Sequence, residues 1–508
     1  MNEIFSTSQN DLFVTLKKQI KKADQEKWIE RFWEKDPSLW SSNSSEQKKI
    51  ADRLGWINEN DSLYLQSLKN LQSKIQGVTI NDIVLLGMGG SSLAALVYSM
   101  QAKTKRPRFH CLDTSDPYEI KRVETQIDPK STLFIVATKS GSTIETKSLF
   151  EYFFSKIPDS KRYLAITDPS SSLEKLAKEK NFLEIFLNPS DVGGRFSASS
   201  FFGLVPALLR GFDIDQDLRK RNKMFEECKK PTSQNPAFIL ACVLYDLHQK
   251  QKHRMHIKTE HSFPGLDAWL EQLIAESTGK NLKGILPFYT NSLLTFSNEY
   301  QLIQNQDGIY IPEIDFTLTW ERKLSLSEVF FLWKMTTAFC GIFLALNPFD
   351  EPDVTLAKEK CIQCLEQKTE NLFSIVPQRK KLDWIHWEKV LEEKPKSLTV
   401  LNFLPENERF ESKLAEMQNR VEQHYGIRFM QQKGPRYLHS TGQFFKGGVD
   451  QSTFLVLTAE QKELSIPSQR YGFTKLKHAQ AMGDFLALTE KKRPVFHLHF
   501  DDNINDSI

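Results

Sequence analysis

A chain of 508 residues, 40% hydrophobic and 26% charged, is too long for one ordinary core and too apolar to be disordered, so two or three domains are expected. Sixty-seven Lys and Arg against 64 Asp and Glu leave a formal net charge of +3. That balance argues against nucleic acid or an anionic membrane as the main partner and makes any phosphate recognition local.

Residues 1–75 are rich in Lys, Glu, Gln and Leu, with Trp and Phe at helical spacings, and read as a helical segment before the first sheet. Over residues 76–230 short apolar runs recur, each closed by turn residues: "DIVLLGMGG", "RFHCLDTSDP", "TLFIVATKSGS", "RYLAITDPSSS" and "FLEIFLNPSDVGG". Such runs, separated by helix-length stretches, predict buried parallel strands in a doubly wound α/β domain. Residues 231–395 repeat the pattern less regularly and predict a second α/β layer. Residues 396–508 predict a smaller C-terminal α/β unit ending in the acidic tail "DDNINDSI". The apolar stretch "LSEVFFLWKMTTAFCGIFLALNPF" is interrupted by Glu328 and Lys334 and reads as a buried helix, not a membrane span. Six scattered cysteines, most in apolar runs, and an N-terminus without a secretory pattern point to the cytoplasm. Cys361 and Cys364 form C-x-x-C without a second pair, which does not read as a metal site.

Three loops are candidates for binding an anion. The first run ends in "GMGGSSLAALV", where Gly90, Ser91 and Ser92 lead into an apolar helix whose free N–H groups suit a phosphate. A dinucleotide fingerprint would need glycine where Ser92 stands, although Asp113 closes the next run at the place of a ribose-binding acid. The third run ends in "ATKSGSTIETKSLF", which gathers Lys139, Ser140, Ser142, Thr143 and Thr146 at a strand-to-helix turn. Hydroxyl-rich loops at the carboxyl ends of neighbouring parallel strands share one crevice, where open α/β sheets bind ligands. In "DVGGRFSASS", Gly193 and Gly194 place Arg195 on a tight turn suited to an oxyanion.

In "SFPGLDAWLEQLIAESTGKN" the apolar residues Leu266, Trp269, Leu270, Leu273 and Ile274 follow helical spacing. Gln272 and Glu276 lie four apart at the edge of that stripe, where partial desolvation suits a carboxylate to proton transfer. The ending "AESTGKN" is not a nucleotide loop, because Ile274 and Asn281 replace the residues such a loop needs.

Taken together, "GMGGSS", "ATKSGSTIET", "VGGRFS", "EQLIAESTGK" and "NPFDEPDVTLAK", in that order, resemble the phosphoglucose isomerase family, which is built of sugar-isomerase (SIS) domains. The tail "GPRYLHSTGQFFKGG" looks like the isomerase half of fused transaldolase/phosphoglucose isomerase proteins. The resemblance implies two SIS-type doubly wound parallel-sheet domains of three αβα layers plus the C-terminal unit. It implies interconversion of D-glucose 6-phosphate and D-fructose 6-phosphate through a cis-enediol, without cofactor or metal. It also implies a homodimer, the family being commonly dimeric. By position, Ser91, Ser140, Ser142 and Thr143 would hold the sugar phosphate, with Lys139 and Thr146 nearby; Gln272 would contact substrate. Glu276 would transfer the proton, Arg195 would face the enediolate, and Lys358 would assist ring opening.

Two departures stand out. Glu351 replaces the family's usual glutamine, and no histidine lies between Glu276 and Lys358, which leaves His439 as the substitute for the ring-opening histidine. The rival readings are another SIS-domain isomerase, a non-catalytic sugar-phosphate sensor and, more distantly, a nicotinamide dehydrogenase.

Overall fold

In the computed structural model, which describes residues 4–102, 104–259, 262–290, 294, 296–366, 372–392, 394–449 and 452–501, the five apolar runs of the first domain are five parallel strands. The tail from residue 502 lies outside the described residues. In space the strands run Arg108–Leu112, Asp82–Gly87, Thr132–Ala137, Tyr163–Thr167 and Glu184–Leu187. Successive side chains alternate between faces. Ile83, Leu85, Leu133, Ile135, Leu164 and Ile166 enter one hydrophobic core, whereas Val84, Leu86, Phe134, Val136, Tyr163 and Ala165 enter another. A sheet buried on both sides needs continuous apolar strands, which is why these runs show no polar alternation. Each buried Leu, Ile or Phe contributes about 1.5–3 kcal/mol.

The strand order reverses between Asp82–Gly87 and Thr132–Ala137. The loops leaving those two strands are the Gly90–Ser92 turn and the hydroxyl-rich turn. The fold therefore sets both phosphate candidates at the switch point, where the crevice of a doubly wound sheet opens.

A second wholly parallel five-stranded sheet comprises Lys381–Leu382, Val495–Phe500, Ser452–Ala459, Ser397–Phe403 and Arg428–Lys433, in that spatial order. It is again buried on both faces: Leu401, Phe403 and Val456 point into one core, Val400, Leu455 and Leu457 into another. The α/β class with two parallel sheets stands, but the second sheet falls where the sequence suggested only a smaller C-terminal unit. Residues 231–395 instead contribute five strands of a mixed six-stranded sheet, ordered Phe5–Ser6, Phe316–Thr319, Gly308–Ile311, Glu299–Gln304, Arg254–Lys258 and Leu286–Phe288, the first of them from the N-terminal segment. The physical reason lies in its connections. Asn305 caps a tight turn by accepting from the Asp307 and Gly308 N–H groups, and Asp315 takes a left-handed conformation. Turns this short return the chain antiparallel and leave no room for a crossover helix.

The N-terminal segment is mainly helical, and it does more than precede the first sheet. Phe5–Ser6 adds an edge strand to the mixed sheet, and Trp40 donates its indole N–H to the Ala338 carbonyl at 2.8 Å. Ala338 belongs to the helix Leu326–Leu344, the one described helix long and apolar enough to cross a membrane. Here it is a core helix: Lys334 is fully buried, paired with the equally buried Glu59 at 3.4 Å.

Candidate active site

Two glycine turns meet at the mouth of the switch-point crevice. Gly89 adopts φ = +52°, and a Cβ there would fall 2.7 Å from the His439 carbonyl oxygen and 2.9 Å from Gln272 Nε2. A Cβ on Gly90 would sit 2.3 Å from the backbone of Gly194, inside the turn that carries Arg195. The glycines thus serve close approach between protein segments. Gly90→Ala is therefore expected to push the two turns apart, costing about 1–3 kcal/mol of stability; a thermal melt alongside activity measures both effects. Of the two serines, Ser92 spends its hydroxyl on the Gly89 carbonyl at 3.1 Å, a structural use within the turn itself.

On the second loop Ser140 and Ser142 hydroxyls lie 2.8 Å apart, and those of Thr138 and Thr143 2.9 Å apart, directly before the helix Ile144–Lys156. Thr146 is buried and its hydroxyl has no partner among the described residues. Lys139 points elsewhere, pairing with Asp168 and donating to the Ser190 carbonyl at 2.9 Å. Ser140, Ser142 and Thr143 open onto a cavity of ≈ 370 Å³ shared with Glu145, Lys358, Cys361, His439 and Gln480. Lys358 is exposed on the helix Pro352–Glu366, with no hydrogen bond or ion pair among the described residues.

The helix Leu266–Thr278 is buried more completely than its amphipathic pattern suggested. Gln272 and Glu276 are only 4% and 7% exposed. Gln272 Nε2 donates to Glu276 Oε2 at 3.1 Å and to the His439 carbonyl at 2.9 Å, bridging the carboxylate to the C-terminal segment. Glu276 Oε1 lies 3.5 Å from Arg195, itself 4% exposed. The guanidinium is held from four sides. It donates to Ser277 Oγ at 2.8 Å, to the carbonyls of Pro348 and Asp350 at 2.8 Å each, and to Glu351 at 3.0 Å. Burial raises the Glu276 pKa above the usual carboxylate range; Arg195 opposes this and the neighbouring Glu351 adds to it.

Several contributors carry no signal in the sequence. Glu145 accepts from the His439 ring at 2.9 Å and from Gln480 at 2.6 Å, forming a buried carboxylate–imidazole pair beside the cavity. Burial would raise its pKa, but His439 outweighs this and holds it below the ordinary range. An acid in the first turn of a helix is so common that nothing marks Glu145 out. Lys280, in the sequence only the end of a rejected nucleotide loop, is a buried ammonium that holds the Asn347 carbonyl at 2.5 Å and Asp350 at 2.7 Å. Burial, with Arg195 nearby, depresses its pKa to about 8. Asp113, the acid a nicotinamide ribose would need, is paired at 2.7 Å with Arg436, which anchors the segment bearing His439.

Residues 64–297 match the family model for phosphoglucose isomerase. A probable glucose-6-phosphate isomerase of Methanococcus maripaludis is 25% identical over 383 residues, 63% of this chain and 86% of that protein. A glucose-6-phosphate isomerase of Thermus thermophilus is 31% identical over 234 residues, 45% of this chain and 56% of the relative. In fold, the chain is similar to a glucose-6-phosphate isomerase from Chlamydia trachomatis, with a TM-score of 0.50 at 18% identity over 73% of this chain and 89% of that one. The matched region contains Ser91, Ser140, Arg195 and Glu276, while Glu351, Lys358 and His439 lie beyond it. Over residues 64–297, which carry the loops around Ser91, Ser140, Arg195 and Glu276, the chain is thus similar to phosphoglucose isomerases.

Proposed function

We propose that the chain interconverts D-glucose 6-phosphate and D-fructose 6-phosphate. The observation that carries this reading is the buried Glu276 held between Arg195 and Gln272, with Gln272 packed against the Gly89 turn at the switch point of a doubly wound sheet. Ser140, Ser142 and Thr143, with Ser91, grip the phosphate and fix the sugar chain, which supplies positioning and not chemistry. His439, oriented by Glu145, and Lys358 face the cavity as the groups that open the ring, moving a proton between the ring oxygen and the anomeric hydroxyl.

In the open-chain aldose Glu276 takes the proton from C2 while the C1 carbonyl oxygen gains one, giving a cis-enediol. Glu276 then delivers its proton to C1 as the C2 hydroxyl loses its own, giving the ketose. Both carbons present the same face to one carboxylate, so a single base serves both transfers. Negative charge on the enediolate oxygens meets Arg195, whose position is fixed before the reaction begins. Lys139, turned onto Asp168, is left as a support for the loop instead of a direct ligand.

The reading is tested by assaying the purified protein for both directions of the reaction. Ser140→Ala combined with Ser142→Ala is expected to raise KM for the sugar phosphate about tenfold or more, in keeping with the loss of hydrogen bonds to a charged group. A sensor without catalysis would bind the same sugars and show no turnover.

A further inference from the structure

The mechanism leaves one charged group beside the base unused. Glu351 stands four residues after Asn347 on the loop Asn347–Glu351, whose backbone and side chains are gripped from two directions. Arg195 donates to the Pro348 and Asp350 carbonyls, and Lys280 holds Asn347 and Asp350. The Glu351 carboxylate is thereby brought to the guanidinium nitrogen that Glu276 also approaches: Arg195 Nη1 lies 3.0 Å from Glu351 Oε2 and 3.5 Å from Glu276 Oε1. The two carboxylates are not equivalent. The Glu276 side chain is 9% exposed and that of Glu351 46% exposed, so the shorter contact belongs to the carboxylate nearer solvent.

We propose that Glu351 is a positioning residue that shares Arg195 with Glu276 and so sets the pH range over which Glu276 acts as a base. This rests on the isomerase reading above. One guanidinium nitrogen cannot serve two carboxylates fully, and the nearer partner takes the larger share of the charge. Glu276 is left less well neutralised and next to a second negative charge, and both effects favour its protonated form. The other charged groups around the pair act in the opposite sense or at longer range. Lys280 follows the helix that bears Glu276, and Lys358 lies on the helix Pro352–Glu366 that starts directly after Glu351; both stabilise the Glu351 anion. His439, across the Gln272 bridge, favours the anion of Glu276, and Asp350 is tied to Lys280. The directions agree with this geometry. Burial acts to raise the pKa of Glu351, but Arg195 overcomes it and brings it below the ordinary value, whereas Glu276 stays above. Glutamine at this position would keep the side chain's size and contact with Arg195 while removing the competing charge.

The test compares wild type, Glu351→Gln and Glu351→Asp by kcat as a function of pH with fructose 6-phosphate. The substrate's own phosphate titration is common to all three, so differences between variants report the protein. Removing the charge is expected to move the acid limb of Glu351→Gln about half a unit or more toward lower pH. Glu351→Asp keeps a negative charge beside Arg195 and is expected to keep a limb closer to that of wild type. An acid limb in Glu351→Gln that coincides with wild type overturns the proposal while leaving the isomerase reading intact. Titration of the Glu276 carboxyl in the resting protein, assigned as the glutamate ¹³C resonance lost in Glu276→Gln, gives the same comparison without turnover. An unmoved resonance in Glu351→Gln overturns the proposal even if the isomerase reading has failed.

Discussion

Glu276→Gln is expected to lower kcat about 10²–10⁴-fold with little change in KM, the range a positioned general base contributes. The amide keeps the volume of the carboxylate in a site where the side chain is almost fully enclosed. Arg195 keeps Glu351, Ser277 and two carbonyls as partners, so the substitution does not strand a buried charge. The variant should therefore fold. It should also match or exceed wild type in thermal stability at neutral pH, and the sign follows from linkage. A carboxyl whose pKa is raised by folding adds stability below its unfolded pKa. That contribution is lost as pH rises through the folded value. Above that value the wild type carries a buried anion at a cost that glutamine does not incur. Active and less stable wild type beside inactive and equally or more stable variant is the pattern of a group retained for chemistry. Melting curves at neutral pH together with kcat distinguish this from a structural role, in which stability and rate would fall together.

Arg195→Lys is expected to lower kcat about 10²–10³-fold, matching about 3–4 kcal/mol for one donor to a developing oxyanion. Lysine keeps the charge but cannot reproduce the planar set of donors that reaches Ser277, Pro348, Asp350 and Glu351 together. Arg195→Ala should lose as much activity and in addition about 3–5 kcal/mol of stability, because it leaves Glu276 buried without its counter-ion. The difference between the two variants separates the chemical role from the structural one. A kcat for Arg195→Lys near that of wild type, in a protein that melts normally, would remove the oxyanion role.

The parts of this site that are legible in the sequence are those built locally. A run of apolar residues closed by glycines and hydroxyls announces a parallel strand and the loop at its carboxyl end, and five such runs define the first sheet. Arg195 is legible because two glycines place it on a turn, and Glu276 because helical spacing sets it at the margin of an apolar face. What is not legible depends on distance along the chain. Arg195 and Glu351 are 156 residues apart and Glu145 and His439 are 294 apart, and no local pattern brings either pair together. Sequence spacing also ranks Lys139 with the hydroxyls around it, yet Asp168, at the end of the next strand, draws it away. The second parallel sheet is misplaced for a similar reason. Apolar strands separated by polar stretches look alike whether they pair in parallel or antiparallel, and only the tight turns at Asn305 and Asp315 decide the matter for the mixed sheet. Its neighbour, the sheet over residues 381–500, begins with the two-residue strand Lys381–Leu382, too short for any periodicity to register.

The central claim is that Glu276 carries a proton between adjacent carbons of a sugar phosphate, and its most direct test is hydrogen exchange at carbon. Glucose 6-phosphate incubated with wild type in deuterated water is expected to acquire deuterium at C2, and the fructose 6-phosphate formed to acquire it at C1. Both exchanges should fall with turnover in Glu276→Gln, by about 10²–10⁴-fold. Full exchange and full turnover in that variant would contradict the account.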